Sequence, residues 1–455
     1  MADYRFKIVP LALGTFAIGS EGLVIAGILP DIARGVGVTV SATGQLVTVY
    51  AIVYALTGPL LAVFASHVRP KPLLLWSLVV FGAGNILAAF SPSYLILMVS
   101  RVLVAASASA FVPSASAAGA DLVSPERRGQ ALALVWGGFT VATVLGVPLG
   151  TLIAGTTSWR FTFIFVAVLA GLATLGILAL VPPLQQPQTV SARAFGSVVR
   201  RPLILGIVAA GVLVQMGQYT IFTYIAPFTT KLTGGGGYVV VAAALLIFGL
   251  AAIVGNVLGG VGTDRLGVRR MLTITSAAFA VALAVLWIAG GLHLSVVSLV
   301  IAVLALLVWG VAAWAFVPPL QSLLLSEAPD QSGVALSLNN SAFQGGIALG
   351  GAMGGYVLVQ SGVEVLPLIG AVIVAIAFVV VVLITRHPRP SGTTSPVKAS
   401  ESSTLPARLV CEPAVGPRAS YYRPVGPISG EGTMPFSQAP SGSSRPDHAS
   451  PPVGR

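Results

Sequence analysis

The chain is 455 residues long, of which 56% are hydrophobic and only 8% charged. Soluble domains carry about a quarter charged residues, so this composition excludes a water-soluble globular protein and suits about a dozen membrane crossings of roughly 20 apolar residues each. The net charge of +11 sits in short clusters between apolar runs rather than in a basic stripe with interleaved aromatics, which excludes a nucleic-acid partner.

In chain order, Met1-Ala2-Asp3-Tyr4-Arg5-Phe6-Lys7 leads into an apolar run that continues to Leu29 with no small-residue cleavage site at its end. That pattern predicts an uncleaved first span rather than a signal peptide. Runs divided by Pro, Gly or charge predict further spans at 42–65, 73–90, 94–120, 129–154 and 160–182, after the first at 8–29. A stretch rich in Pro, Gln and Arg follows at 183–201, a cytoplasmic linker. Six more spans are predicted at 202–227, 238–262, 270–290, 294–324, 333–358 and 365–385. The expected fold is an all-α membrane protein of twelve transmembrane helices in two pseudo-symmetric six-helix bundles, residues 1–182 and 202–386. Residues 387–455 are rich in Pro, Ser and Gly and lack apolar periodicity, so a disordered cytoplasmic tail is expected there.

The basic residues predict orientation. With the N-terminus inside, the inner segments hold Arg5, Lys7, Arg69, Lys71, Arg127, Arg128, Arg193, Arg200, Arg201, Arg265, Arg269 and Arg270, against Arg34, Arg160 and Lys231 outside. The positive-inside rule then places both termini in the cytoplasm and the chain in the inner (plasma) membrane. Cys411 is the single cysteine and lies in the tail, while His67, His293, His387 and His448 are scattered, so no metal site and no cofactor are expected. An enzyme is not expected either, because the spans hold no histidine or carboxylate cluster and no serine with an evident base.

The two halves repeat. Ala110-Phe111-Val112-Pro113 recurs as Ala315-Phe316-Val317-Pro318 at an offset of 205 residues. At an offset of 204, Pro125, Gly129, Ala131, Leu132 and Leu134 match Pro329, Gly333, Ala335, Leu336 and Leu338, and Gly146 and Gly150 match Gly350 and Gly354. Repeated bundles of this kind place a substrate site at their interface near the bilayer midplane.

The loop after the eighth span reads Gly255-Asn-Val-Leu-Gly259-Gly260-Val-Gly262-Thr-Asp264-Arg265-Leu-Gly267-Val-Arg269-Arg270. Small residues at 255, 259 and 262 permit close helix packing. Asp264 is expected to end the helix among Arg265, Arg269 and Arg270, where it forms a charged latch or simply a helix terminus beside positive-inside charges. The segment resembles the signature loop of the major facilitator superfamily, Gly-x-x-x-Asp-Arg-x-Gly-x-Arg-Arg, with Gly260, Asp264, Arg265, Gly267, Arg269 and Arg270 at its positions. The resemblance implies a first copy after span two, where Ser66 and His67 replace the acid and the arginine, so the burden shifts to Asp264. Gly137, Gly138, Gly146, Pro148 and Gly150 in span five resemble that family's antiporter motif, associated there with export, although close packing alone also accounts for the glycines. Gly19-Ser20-Glu21, Leu29-Pro30-Asp31, Pro125-Glu126-Arg127-Arg128-Gly129-Gln130-Ala131 and Thr223-Tyr224-Ile225-Ala226-Pro227-Phe228 resemble its twelve-span efflux proteins for drugs, chloramphenicol, sugars and nucleosides.

Two ionisable residues fall well inside spans: Glu21 in the first and Arg101 in the fourth. A charge at the bilayer centre costs about 2.5–3.5 kcal/mol even on lenient scales, so such residues are functional candidates. Counted from Leu29 and Tyr94 at ~1.5 Å per residue, both lie at a similar depth. Apolar surroundings favour a neutral carboxylate and a guanidinium favours a charged one. The pair is therefore a candidate for proton coupling, or else an ion pair that orders the bundle. Asp31, after Pro30, is expected to cap the outer loop. Uncharged cavity candidates are Tyr50, Tyr54, Gln215, Gln218, Tyr219, Tyr224, Trp314, Asn339, Asn340 and Gln344. The expected function is a proton-coupled, monomeric exporter of a small drug-like compound, with protons, solute and the lipid bilayer as its partners. The alternatives are a sugar, nucleoside or other metabolite exporter, or a non-transporting receptor or scaffold.

Overall fold

A computed structural model describes residues 3–64, 68–124, 127–184, 200–292 and 296–386. Twelve helices among them are long and apolar enough to cross a membrane. They are α1 (Phe6–Val36), α2 (Val40–Leu61), α3 (Pro70–Ala89), α4 (Tyr94–Asp121), α5 (Arg128–Thr156), α6 (Trp159–Leu180), α7 (Pro202–Phe222), α8 (Gly237–Leu266), α9 (Val268–Gly291), α10 (Val296–Glu327), α11 (Gly333–Ser361) and α12 (Val363–Arg386). In hydrocarbon every backbone polar group must be satisfied within the chain, and helices do this residue by residue. The outward surface is apolar: Trp76, Leu172, Leu304 and Val359 are each more than half exposed.

The repeat seen in the sequence is a repeat in packing. In the first bundle the main contacts are α1 with α5 and α6, α3 with α4 and α6, and α2 with α4. In the second they are α7 with α11 and α12, α9 with α10 and α12, and α8 with α10. Adding six to each helix number converts one set into the other. The glycines explain how. An added Cβ on Gly146 would lie 1.9 Å from Ser20 Oγ and one on Gly150 would lie 2.5 Å from Val24, both on α1. Their counterparts Gly350 and Gly354 press in the same way on Met216 and Thr220 of α7.

The bundles meet along two seams, α2 with α11 and α5 with α8, which the same operation interchanges. One end of the molecule carries Arg69, Lys71, Arg201, Arg265, Arg269 and Arg270 and is called the basic end. There Lys71 donates to the carbonyls of Leu178 (3.1 Å) and Val181 (2.5 Å), and Arg201 to that of Glu327 (2.7 Å). Each cation satisfies carbonyls left free at a helix C-terminus.

Four details depart from the expectations above. Helix α1 does not stop near Leu29: its helical run continues through Pro30 to Val36. Asp31 therefore lies within a helix, paired with Arg34 one turn on, and does not cap a loop. The seventh span is broken. Its helix ends at Phe222, and a short helix, Ile225–Leu232, resumes after Thr223 and Tyr224. Asp264 does not end α8, which runs on to Leu266 and turns at Gly267, whose φ of +81° suits glycine. Most of the proposed linker, all of the tail from 387, and Ser66 and His67 lie outside the described residues.

Candidate functional site

The centre of the first bundle holds one ion pair. Arg101 of α4 donates from Nη1 to Glu21 Oε1 of α1, and both side chains are 0% exposed. Phe163 of α6 lies under the guanidinium, its ring centroid 5.0 Å from Cζ. Arg101 Nε and Nη2, Glu21 Oε2 and the adjacent Ser20 Oγ have no hydrogen-bond partner among the described residues. Three helices thus converge on a desolvated, incompletely satisfied charge pair. Breaking such a pair on one side is destabilising, because the remaining charge stays buried. The sequence identified both charged residues but not Phe163, which is one aromatic among many.

Ser20 couples this pair to α5. It presses on Gly146, which closes a π-helical turn, Ala142–Gly146, between the α-helical segments Arg128–Val141 and Val147–Thr156. Helix α8 packs on that turn and on Val147–Thr156, with Gly249 against the Thr143 carbonyl. A π-turn inside an α-helix frequently marks a functional position.

Between the bundles lies a small cavity of about 20 Å³, room for about one water. The first bundle contributes Leu23, Thr143 and Val147 to its wall, and the second contributes Gln218, Tyr219, Phe222, Leu245, Phe248 and Trp314. Trp309 meets the wall residues Phe222 and Phe248 edge-on, and the three ring centroids lie 5.0–6.4 Å apart. Glu21 and Leu23 are two residues apart on α1, about 200° around a helix. The carboxylate therefore lies on the far side of α1 from the cavity.

The cavity candidates separate into groups. Gln218, Tyr219 and Trp314 line the cavity. Tyr50 and Tyr54 stand together on α2, centroids 6.2 Å apart, and the Tyr50 hydroxyl approaches Gly22 of α1. Gln215 and Gln344 are half-buried, and Asn340 is exposed. Tyr224 belongs to a seal instead. It is fully buried, donates its hydroxyl to the Gly351 carbonyl (3.0 Å) and fits a socket of Gly44, Gly354 and Gly355. Beside it Ser41 of α2 donates to Gly355 of α11 (2.9 Å), and Tyr238 covers Gly155. These contacts close the end opposite the basic one. The apolar wall residues Phe222 and Phe248 gave no sequence signal, since they read as ordinary core.

Asn339 is different again. It is fully buried, and neither amide atom has a partner among the described residues. Its counterpart at the 204-residue offset is Val135, also fully buried. Asn339→Val is expected to stabilise the folded protein by about 1–3 kcal/mol, the desolvation penalty of an unpaired amide. Thermal melting in detergent checks this, and an unchanged or lower melting temperature refutes it.

At the basic end Asp264, Arg265, Gly267, Arg269 and Arg270 are all exposed. Asp264 makes no ion pair among the described residues, so the expected latch is not formed in this conformation. Gly260 faces open space, while Gly255 and Gly259 press on the backbone of α10 at Val311 and Ala315.

Two like six-helix bundles with a cavity between them suggest a transporter, and comparison with known proteins decides the family. The sequence profile of the Major Facilitator Superfamily matches residues 11–351. The chain belongs to the major facilitator superfamily. It is 31% identical over 383 residues to "Inner membrane transport protein YdhP" of Escherichia coli K12, covering 84% of this chain and 96% of that one. It is 32% identical over 391 residues to "Uncharacterized MFS-type transporter YbcL" of Bacillus subtilis 168, covering 83% and 95%. Among solved structures, a bacterial homologue of the human lysosomal transporter Spinster, inward-facing and unoccupied, matches with a TM-score of 0.67 at 16% identity over 85% of this chain and 98% of that one. The D-xylose–proton symporter matches with a TM-score of 0.67 at 18% identity over 83% and 97%. At those identities the likeness establishes the fold alone. This superfamily member is a multi-pass membrane transporter, and its family and fold are those of transporters rather than enzymes.

Proposed function

We propose that the protein is a proton-coupled exporter of a small, largely uncharged organic compound, working as a monomer by alternating access in the plasma membrane. The observation that carries this reading is the fully buried Glu21–Arg101 pair. A charge pair enclosed in a membrane bundle is expensive, and such residues mark ion or proton pathways. Protonation of Glu21 neutralises the carboxylate and releases its hold on Arg101, whose guanidinium keeps the Phe163 face. Helix α1 is then free to shift against α4. Its other face carries Leu23 in the cavity wall, and Ser20 presses on the π-turn of α5. Proton and solute thus act on opposite faces of one helix, and coupling runs through the position of α1 rather than through competition for one site. The experiment is concentrative transport by the purified protein in liposomes under an imposed pH gradient, screened over antibiotic-like compounds, sugars and nucleosides. Accumulation indifferent to the gradient refutes the coupling.

The basic end is assigned to the cytoplasm by the positive-inside rule. On that assignment the seal around Tyr224 faces outward, and this conformation is closed on the outer side. Asp264 then forms its latch with the neighbouring arginines in the opposite, outward-open state. Asp264→Asn is expected to slow transport several-fold without reducing membrane insertion. An unchanged rate per inserted molecule removes the latch from the mechanism.

A further inference from the structure

The cavity between the bundles has a marked division of labour. The wall from the first bundle is aliphatic, Leu23 and Val147, with a threonine whose hydroxyl is already committed to the Thr140 carbonyl (2.7 Å). The wall from the second bundle is aromatic, with Tyr219, Phe222, Phe248 and Trp314 around one amide, Gln218. Among the described residues no charged side chain lines it. The indole N–H of Trp314 is buried and has no hydrogen-bond partner among the described residues. The nearest charges within the spans, Glu21 and Arg101, are engaged with each other behind α1.

Each of these features selects a class of ligand. Aromatic faces attract planar π-systems by offset or edge-on stacking. A desolvated N–H left without an acceptor favours a ligand that brings one. A sugar presents many hydroxyls and would leave most of them unpaired against Phe222, Phe248, Leu245 and Val147, at a penalty for each. An organic cation finds no carboxylate in the wall to neutralise it, and a carboxylate ligand finds no arginine or lysine. We infer that the transported compound is an uncharged, planar aromatic molecule carrying a carbonyl or ring acceptor, stacked on the Phe222–Phe248 wall and accepting a hydrogen bond from Trp314. This deepens the export reading and rests on it. In the present conformation the cavity is nearly collapsed. Because its walls come from both bundles, separating them along the α5–α8 seam enlarges it.

The test is equilibrium binding, by calorimetry, to the purified full chain in lipid nanodiscs. Coumarin serves as the planar uncharged probe with a carbonyl acceptor, tetraphenylphosphonium as the cation and glucose as the sugar. Coumarin is expected to saturate one site, with neither of the others competing. Trp314→Phe keeps the ring and removes the N–H, and is expected to weaken coumarin binding about threefold to tenfold. Phe248→Leu, a milder change to the same wall, is expected to weaken it by a similar factor. Absence of saturable coumarin binding, displacement by glucose or tetraphenylphosphonium, or parental affinity in both Trp314→Phe and Phe248→Leu overturns the assignment. The two readings fail separately. A Glu21→Gln protein that still pumps against a pH gradient refutes proton coupling and leaves the binding result standing, whereas loss of the binding result leaves the gradient measurement standing.

Discussion

Glu21→Gln protein reconstituted in liposomes is expected to lose concentrative, pH-driven transport down to the level of protein-free vesicles, while inserting normally. The amide keeps the size of the acid and most of its hydrogen bonding to Arg101 Nη1 but cannot exchange a proton. The cavity keeps all its lining residues, because the carboxylate lies behind α1, away from the Leu23 face. Arg101→Ala is expected to be worse in a different way. It leaves a buried carboxylate without its partner, a change that costs about 3–5 kcal/mol when a buried pair is broken on one side. Its melting temperature and yield should fall along with transport. The double variant Glu21→Gln/Arg101→Gln removes both charges and is expected to recover much of the stability and none of the pumping. If the pair served only to order the bundle, the double variant would recover both. Melting temperature and transport per inserted molecule, measured on the same preparations, separate these outcomes.

The second large effect is steric. An added Cβ on Gly138 would lie 2.0 Å from the Ala12 carbonyl oxygen of α1 and 2.4 Å from Thr15 Oγ1. The first of these is backbone and cannot rotate away, so Gly138→Ala must push α1 off α5. Overpacking of this kind typically costs about 1–3 kcal/mol. Here it also moves the helix that carries Glu21, so transport is expected to fall at least tenfold even where the protein still inserts. Its neighbour supplies the control. A Cβ on Gly137 meets nothing within 4 Å, and alanine is the better helix former by about 1 kcal/mol. Gly137→Ala should therefore be neutral or slightly stabilising. Equal behaviour of the two variants, in melting and in transport, would show that the α1–α5 seam is not under this steric constraint. Gly146→Ala sits between them, since the atom it meets first is the Ser20 side chain at 1.9 Å, with Ser20 Cβ at 2.9 Å behind it.

Much of this protein was legible as a string. The twelve spans followed from apolar length, because a segment that crosses hydrocarbon must be long and uninterrupted whatever surrounds it. The duplication followed from Gly146 and Gly150 recurring as Gly350 and Gly354, since the same close approach to a neighbouring helix imposes the same small residue. Glu21 and Arg101 stood out because charge inside a span is costly wherever it points. All three are properties of composition along one dimension. Only the tertiary structure decided where the side chains face. A soluble helix advertises its buried face by a polar stripe on the other side, but these helices are apolar all round and carry no such stripe. Hence the sequence grouped Tyr224 with Tyr219 as cavity residues, and packing separated them: Tyr219 lines the cavity, and Tyr224 fills a glycine socket in the seal. Hence also Asp264, next to Arg265 and five and six residues before Arg269 and Arg270, is exposed and unpaired among the described residues in this conformation, for a latch depends on which conformation the bundles adopt. The sequence named the acid at position 21 as a candidate proton carrier, and the tertiary structure placed it on the opposite side of α1 from the cavity, because the rotation of an all-apolar helix is set by what its neighbours present to it.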